Sequence, residues 1–156
     1  MTLCLPSWQQ PGSWLQNCLA LKQHPWVQGV ELLFFTWDDT VKAEFSADLE
    51  GIKRLASRFS FSLHLPEVLT SQTEELISLS DSFVQLYVFH PWDDGKGEGS
   101  LQAWARLLNS FRGDYGKDRF AVEYTGEIPF KRAMDLLPDM QICADTGAHL
   151  LKNISG

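Results

Sequence analysis

The chain has 156 residues, of which 44% are apolar and 12% aromatic, and it carries a net charge of −7. This length suffices for one domain with a sizeable core, and the composition is that of a globular protein. The thirteen Lys and Arg residues form no basic tract, so the charge argues against nucleic-acid binding and DNA repair.

The cysteines and the apolar stretches bear on the compartment. Three cysteines without CxxC spacing indicate reduced thiols rather than a disulfide framework. The N-terminus lacks a basic segment followed by a long apolar run, and no stretch reaches the roughly 18 apolar residues of a membrane-spanning helix. We therefore expect a cytoplasmic protein with no membrane partner.

The first part of the chain alternates strand-type and helix-type patterns. Ser13 is a suitable N-cap for a helix over 14–23, and Asp48 for a second helix. Asp38 and Asp39 are interpreted as solvated loop residues. The predicted strands are 2–8, 30–35 and 59–65.

The same alternation continues to the end of the chain. Predicted strands cover 83–90, 120–124 and 141–145. Ser71 or Thr73 opens one helix, Ser100 caps the next, 113–116 forms a turn, and Pro129 lies at the start of the last helix.

This order predicts an α/β protein with parallel (β/α) repeats. Either a doubly wound open sheet or part of a TIM barrel would fit. A full barrel needs about 200 residues or more. We therefore expect one domain over residues 1–156, a partial TIM barrel of about six strands that lacks the last strands of a full one.

Four of the predicted strands end in a side chain that can bind a metal ion. These are His64, His90, Glu123 and Asp145. Taken alone, each histidine is more simply a structural residue, but the carboxyl ends of parallel strands share one edge, where ligands bind. Together the four suit Zn²⁺, Mn²⁺ or Fe²⁺, and His149, four residues after Asp145, is a candidate fifth ligand.

Other polar and aromatic residues receive structural interpretations. In strand 59–65, Ser60, Ser62 and His64 share one face and the apolar residues the other. Glu31 interrupts the second strand's apolar run, which suggests a structural or supporting role. The six tryptophans are most simply core and helix-packing residues.

Five segments, taken in order, resemble the xylose isomerase-like TIM barrels, the superfamily of sugar-phosphate isomerases, epimerases and endonuclease IV. They are Val30-Glu-Leu-Leu, Ser62-Leu-His-Leu-Pro, Val88-Phe-His-Pro, Val122-Glu-Tyr-Thr and Cys143-Ala-Asp-Thr-Gly-Ala-His. Within it, the chain looks most like the cobamide-remodelling phosphodiesterases. The later ligands of that superfamily have no counterpart, and the last segment is one residue longer than the family's DxGH.

The resemblance implies a divalent metal at the barrel mouth, with His64, His90, Glu123, Asp145 and His149 as ligands and Glu123 and His90 as catalytic residues. It favours a phosphodiester hydrolase acting on a small molecule such as a cobamide. A sugar or sugar-phosphate isomerase or epimerase, and a shortened non-catalytic binding domain, are the alternatives. The last predicted strand leaves an open sheet edge. A homodimer that closes the barrel through this edge is therefore a further expectation.

Overall fold

The computed structural model describes residues 4–91 and 100–143, in which six strands alternate with five α-helices. The strands are β1 (Cys4–Pro6), β2 (Gly29–Leu33), β3 (Ser60–His64), β4 (Val84–Phe89), β5 (Phe120–Glu123) and β6 (Gln141–Cys143). The helices are α1 (Trp14–Leu21), α2 (Asp39–Arg54), α3 (Thr73–Ser80), α4 (Leu101–Tyr115) and α5 (Glu127–Leu136). Short 3₁₀ turns, Leu55–Ser57 and Lys117–Arg119, follow α2 and α4.

The strands follow one another in a single sheet in chain order, from β1 to β6. The pairs β1–β2, β2–β3 and β5–β6 are parallel. A doubly wound sheet reverses its strand order at a switch point, whereas a (β/α) barrel keeps chain order. The prediction of a partial parallel barrel is therefore confirmed. The chain divides into two compact units, Met1–Tyr87 and Val88–Gly156, described in turn.

The helix starts of the first unit follow from local capping. The Ser13 hydroxyl accepts from the backbone N–H of Gln16, whose side chain accepts from the N–H of Ser13. This reciprocal capping box confirms the predicted N-cap. Asp38 caps α2, because its Oδ1 accepts from the N–H groups of Thr40 and Val41, each at 3.0 Å.

The prediction that Asp48 caps the second helix is wrong. The helix begins at Asp39, so the exposed Asp38 is its cap, the exposed Asp39 is helical rather than a loop residue, and Asp48 lies well inside the helix. Oδ2 of Asp48 instead accepts from the backbone N–H of Leu15 at 2.9 Å. It satisfies one of the free N–H groups at the start of α1 and so ties α1 to α2.

An aromatic cluster fills the space between the helices and β2 in the first unit. Trp14 stacks on Phe34 with ring centroids 4.9 Å apart, and Phe34 meets Phe45 edge to face at 4.9 Å. Trp37 contacts both phenylalanines. The Trp14 indole also donates to the carbonyl of Leu33 at 3.0 Å. These edge-to-face and stacked pairs fix the helix layer on the sheet.

The predicted alternation of β3 is confirmed. Phe61, Leu63 and Leu65 are at most 1% exposed, while Ser60 and His64 are half-buried. Ser62, on the polar face, forms a hydrogen bond with the Cys4 thiol. Burial, and to a smaller extent the Glu31 carboxylate, raise the pKa of that thiol, so Cys4 is neutral near pH 7.

In the second unit α4 packs over the sheet. Ser100 caps α4 through the N–H of Ala103, as predicted, and Trp104 contacts Phe89 edge to face. The predicted turn over 113–116 is wrong in extent, because the helix continues to Tyr115. It ends at Gly116, whose φ of 102° suits a residue without a Cβ.

The expectation that the tryptophans are core residues holds only in part. Trp104 is 7% exposed, but Trp8 and Trp26 are 62% and 66% exposed. Trp92 lies outside the described residues.

Candidate metal centre

Three predicted ligands stand where parallel strands end. His64 is the last residue of β3, Glu123 is the last residue of β5, and His90 directly follows β4. Pro91 comes next and cannot donate to a sheet ladder, which explains why β4 stops here. The strand pattern thus delivers all three side chains to carboxyl ends, as the sequence predicts.

Within the second unit, His90 and Glu123 contact each other directly. Nε2 of His90 lies 3.1 Å from Oε2 of Glu123, and the side chains are 31% and 13% exposed. A carboxylate can only accept, so Nε2–H of the imidazole donates to it. A largely buried carboxylate needs such a partner or a cation, because removal from water penalises its charge.

In the first unit the His64 ring is oriented by a hydrogen bond to the backbone of the next residue. Nδ1 of His64 lies 2.9 Å from the carbonyl oxygen of Leu65. Since a carbonyl only accepts, Nδ1 carries the proton and the lone pair of the neutral ring is on Nε2. The N–H of Phe34 bonds to the His64 carbonyl at 3.2 Å and fixes the backbone. Metal-binding imidazoles are typically oriented by such an Nδ1–H contact.

Each of the three side chains offers an atom that could bind a metal ion. His64 ends β3 in the first unit, and the second unit contributes the hydrogen-bonded pair of His90 and Glu123. Two imidazoles and one carboxylate are a donor set for Zn²⁺, and also for Fe²⁺ in a facial triad. The donor chemistry and the orientation of His64 therefore fit a divalent cation.

The remaining predicted ligands, Asp145 and His149, lie outside the described residues. For Cys143 the sequence predicts only a reduced thiol. In the parallel ladder it is the register partner of Glu123, and its carbonyl accepts from the N–H of Tyr124 at 3.2 Å. The sequence signal for this neighbour is its position within the last predicted strand, 141–145.

Among the described helices, none combines the length and apolarity needed to cross a bilayer.

Comparison with known proteins found no match for this chain among protein-family models, curated proteins or solved structures.

Proposed function

We propose that the protein is a divalent-metal-dependent hydrolase of small phosphodiesters. The observation that carries the proposal is the His90–Glu123 pair at the carboxyl ends of β4 and β5, together with the position of His64 at the carboxyl end of β3. Asp145 and His149 are proposed as further ligands. A divalent metal would polarise a phosphoryl oxygen and lower the pKa of a bound water.

The side chains have separate tasks in this proposal. Glu123 supplies the negative charge that holds the cation. His64 enters the site with its Nδ1–H already satisfied by Leu65, so little ring freedom is lost on binding. His90 orients Glu123 through their 3.1 Å contact. The five segments that resemble the xylose isomerase-like superfamily support a cobamide-type phosphodiester as the substrate class.

The His90–Glu123 pair favours a second candidate, a sugar or sugar-phosphate isomerase or epimerase. An imidazole hydrogen-bonded to a carboxylate is suited to proton transfer at a carbon next to a carbonyl group. A non-catalytic binding domain is the third alternative for the function.

Metal analysis of the full chain tests the proposal. We expect near-stoichiometric Zn, Mn or Fe by mass spectrometry in protein purified without chelator. Glu123→Ala and His64→Ala should lose it. Glu44→Ala and His24→Ala, which change exposed side chains, should keep it.

Activity separates the candidates. Metal-dependent hydrolysis of bis(p-nitrophenyl) phosphate that is lost in Glu123→Ala supports the phosphodiesterase. Interconversion of aldoses and ketoses without hydrolysis supports the isomerase. A folded wild-type protein that takes up none of the three metals would overturn both.

We further propose a cytoplasmic location and self-association through β6. The location rests on the three cysteines of the sequence, which show no CxxC spacing and no disulfide framework. β6 follows β5 at the end of the sheet order and exposes 59% of Ile142. Sedimentation of wild type and Ile142→Lys tests the second point, since only the wild type should dimerise.

A further inference from the structure

Two large aromatic side chains are exposed in the first unit and contact each other. Trp8 is 62% exposed and Phe35 is 63% exposed. Their ring centroids are 6.1 Å apart and the ring planes meet at 83°. Trp8 follows β1 and Phe35 follows β2, so the pair lies at the carboxyl ends of two neighbouring strands.

The backbone before each ring is firmly attached. The N–H of Ser7 donates to the carbonyl of Glu31 at 2.8 Å, and the Ser7 hydroxyl accepts from the N–H of Leu33 at 3.2 Å. The N–H of Phe34 donates to the carbonyl of His64 at 3.2 Å. Each exposed ring therefore belongs to the residue directly after one whose backbone N–H is bonded to the neighbouring strand. The backbone at both rings is thus held in place before any ligand binds, which makes the pair a preorganised surface.

Phe35 lies outside the aromatic core to which its neighbour Phe34 belongs. Phe34 is 2% exposed and stacks on Trp14 in the helix layer. Phe35 lies at a bend two residues past the end of β2, and its ring is 63% exposed. In the parallel register Leu33 pairs with His64, so Phe35 lies at the same edge of the sheet as a predicted metal ligand.

We propose that Trp8 and Phe35 form the binding platform for a planar heteroaromatic ring of the nucleobase class, carried by the substrate. This rests on the proposed phosphodiesterase function for the substrate's other half. Two rings at a right angle make a corner in which a third ring stacks on one face and meets the edge of the other. Stacking of this kind tolerates any base, because each base has a π-face.

Isothermal titration of the full chain in EDTA tests the platform without any metal chemistry. The probes are adenosine, cytidine, guanosine and uridine, each compared with ribose, which lacks the ring. We expect at least one nucleoside to bind roughly tenfold or more tightly than ribose. Trp8→Ala and Phe35→Ala should abolish the difference, whereas Trp8→Phe should keep most of it.

Trp26→Ala is the matched control. Trp26 is 66% exposed but precedes β2, at the opposite end of that strand. The proposal is overturned if no nucleoside exceeds ribose, or if Trp26→Ala loses as much affinity as Trp8→Ala. It is also overturned if the wild type is a dimer that Trp8→Ala converts to a monomer, since a second copy would then cover the rings. Nucleoside binding without metal uptake would retain the platform and reject the hydrolase.

Discussion

Nε2 of His90 and Oε2 of Glu123 lie 3.1 Å apart, although 33 residues separate them in the chain. His90 follows β4 and Glu123 ends β5, so the contact depends on two strands that end at matching heights. The Glu123 carboxylate is 13% exposed. In the proposed metal site, the negative charge of this carboxylate would hold the cation.

Glu123→Gln should therefore abolish stabilisation by metal. A ligand that binds only the folded state, at about 100 times its Kd, adds about 2.7 kcal/mol to the free energy of unfolding. We expect this gain when Zn²⁺ or Mn²⁺ is added to the wild type and not in Glu123→Gln, which keeps the side-chain size but removes the charge. Urea titrations with and without metal measure the difference.

Glu44→Gln, on the exposed face of α2, should respond to metal like the wild type. An equal metal response in Glu123→Gln and wild type would remove Glu123 from the site.

The sequence predicts the fold and part of the site for identifiable reasons. The capping residues Ser13 and Ser100 act locally, and the β3 alternation is a direct record of its two faces. Parallel strands share one carboxyl edge, which is why His64, His90 and Glu123 are predicted together before any distance is known.

What the sequence does not reveal depends on tertiary contacts. Asp48 is of a residue type that often caps helices. Its role as acceptor from the N–H of Leu15 instead results from the packing of α1 on α2. The exposure of Trp8 and Phe35 is equally hidden, because apolarity predicts burial whatever the neighbours are.

Asp38 should be the more important of the two acidic residues at the start of α2. Asp38→Ala removes the acceptor for the N–H groups of Thr40 and Val41 and should lower the free energy of unfolding. Asp38→Asn should cost less, because asparagine is also a good N-cap. Asp39→Ala is the neighbouring control. Thermal unfolding at neutral pH checks the ranking, which fails if Asp39→Ala is the more damaging change.

The buried hydroxyl of Tyr87 should stabilise the first unit by hydrogen bonding. It donates to the carbonyl of Ile77 at 3.1 Å and lies 3.3 Å from the hydroxyl of Ser80, which bonds to the carbonyl of Leu76 at 2.8 Å. Tyr87→Phe should lower the free energy of unfolding by about 1 kcal/mol.

Urea unfolding of Tyr87→Phe, Ser80→Ala and the double variant forms a cycle for this network. We expect the two single losses not to add, because the hydroxyls are neighbours. Strict additivity would mean that the two side chains act independently.

The pair of Arg112 and Asp139 should give the second unit an acid-sensitive contact. The Arg112 side chain is 3% exposed, and its Nη2 lies 2.9 Å from Oδ1 of Asp139. Among the described residues, neither Nε nor Nη2 of Arg112 makes a well-aligned hydrogen bond, so the close ion pair with Asp139 is important for its charge. Hydrogen bonding by Arg112, helped by its charge, holds the pKa of Asp139 below its ordinary value of 3.8.

The sign of the pH effect follows from that lowered pKa. A carboxyl group whose pKa is lower in the folded than in the unfolded state stabilises the fold above the unfolded pKa. This contribution is lost as the pH falls from about 4 through the folded pKa. Asp139→Asn should therefore be less stable than the wild type at pH 7, and the difference should shrink as the pH falls below about 4.

Asp114→Asn serves as the control for Asp139→Asn, since Asp114 is an exposed carboxylate on α4. Chemical denaturation of the three proteins between pH 7 and pH 3 gives the comparison. A constant gap between wild type and Asp139→Asn over this range would show that the ionised carboxylate does not stabilise the fold through Arg112. If the stability difference from the wild type disappears at low pH for Asp139→Asn, the ion pair with Arg112 is its cause. At low pH the wild-type Asp139 is protonated, so the Arg112 guanidinium lacks a counter-charge in the wild type as well as in Asp139→Asn.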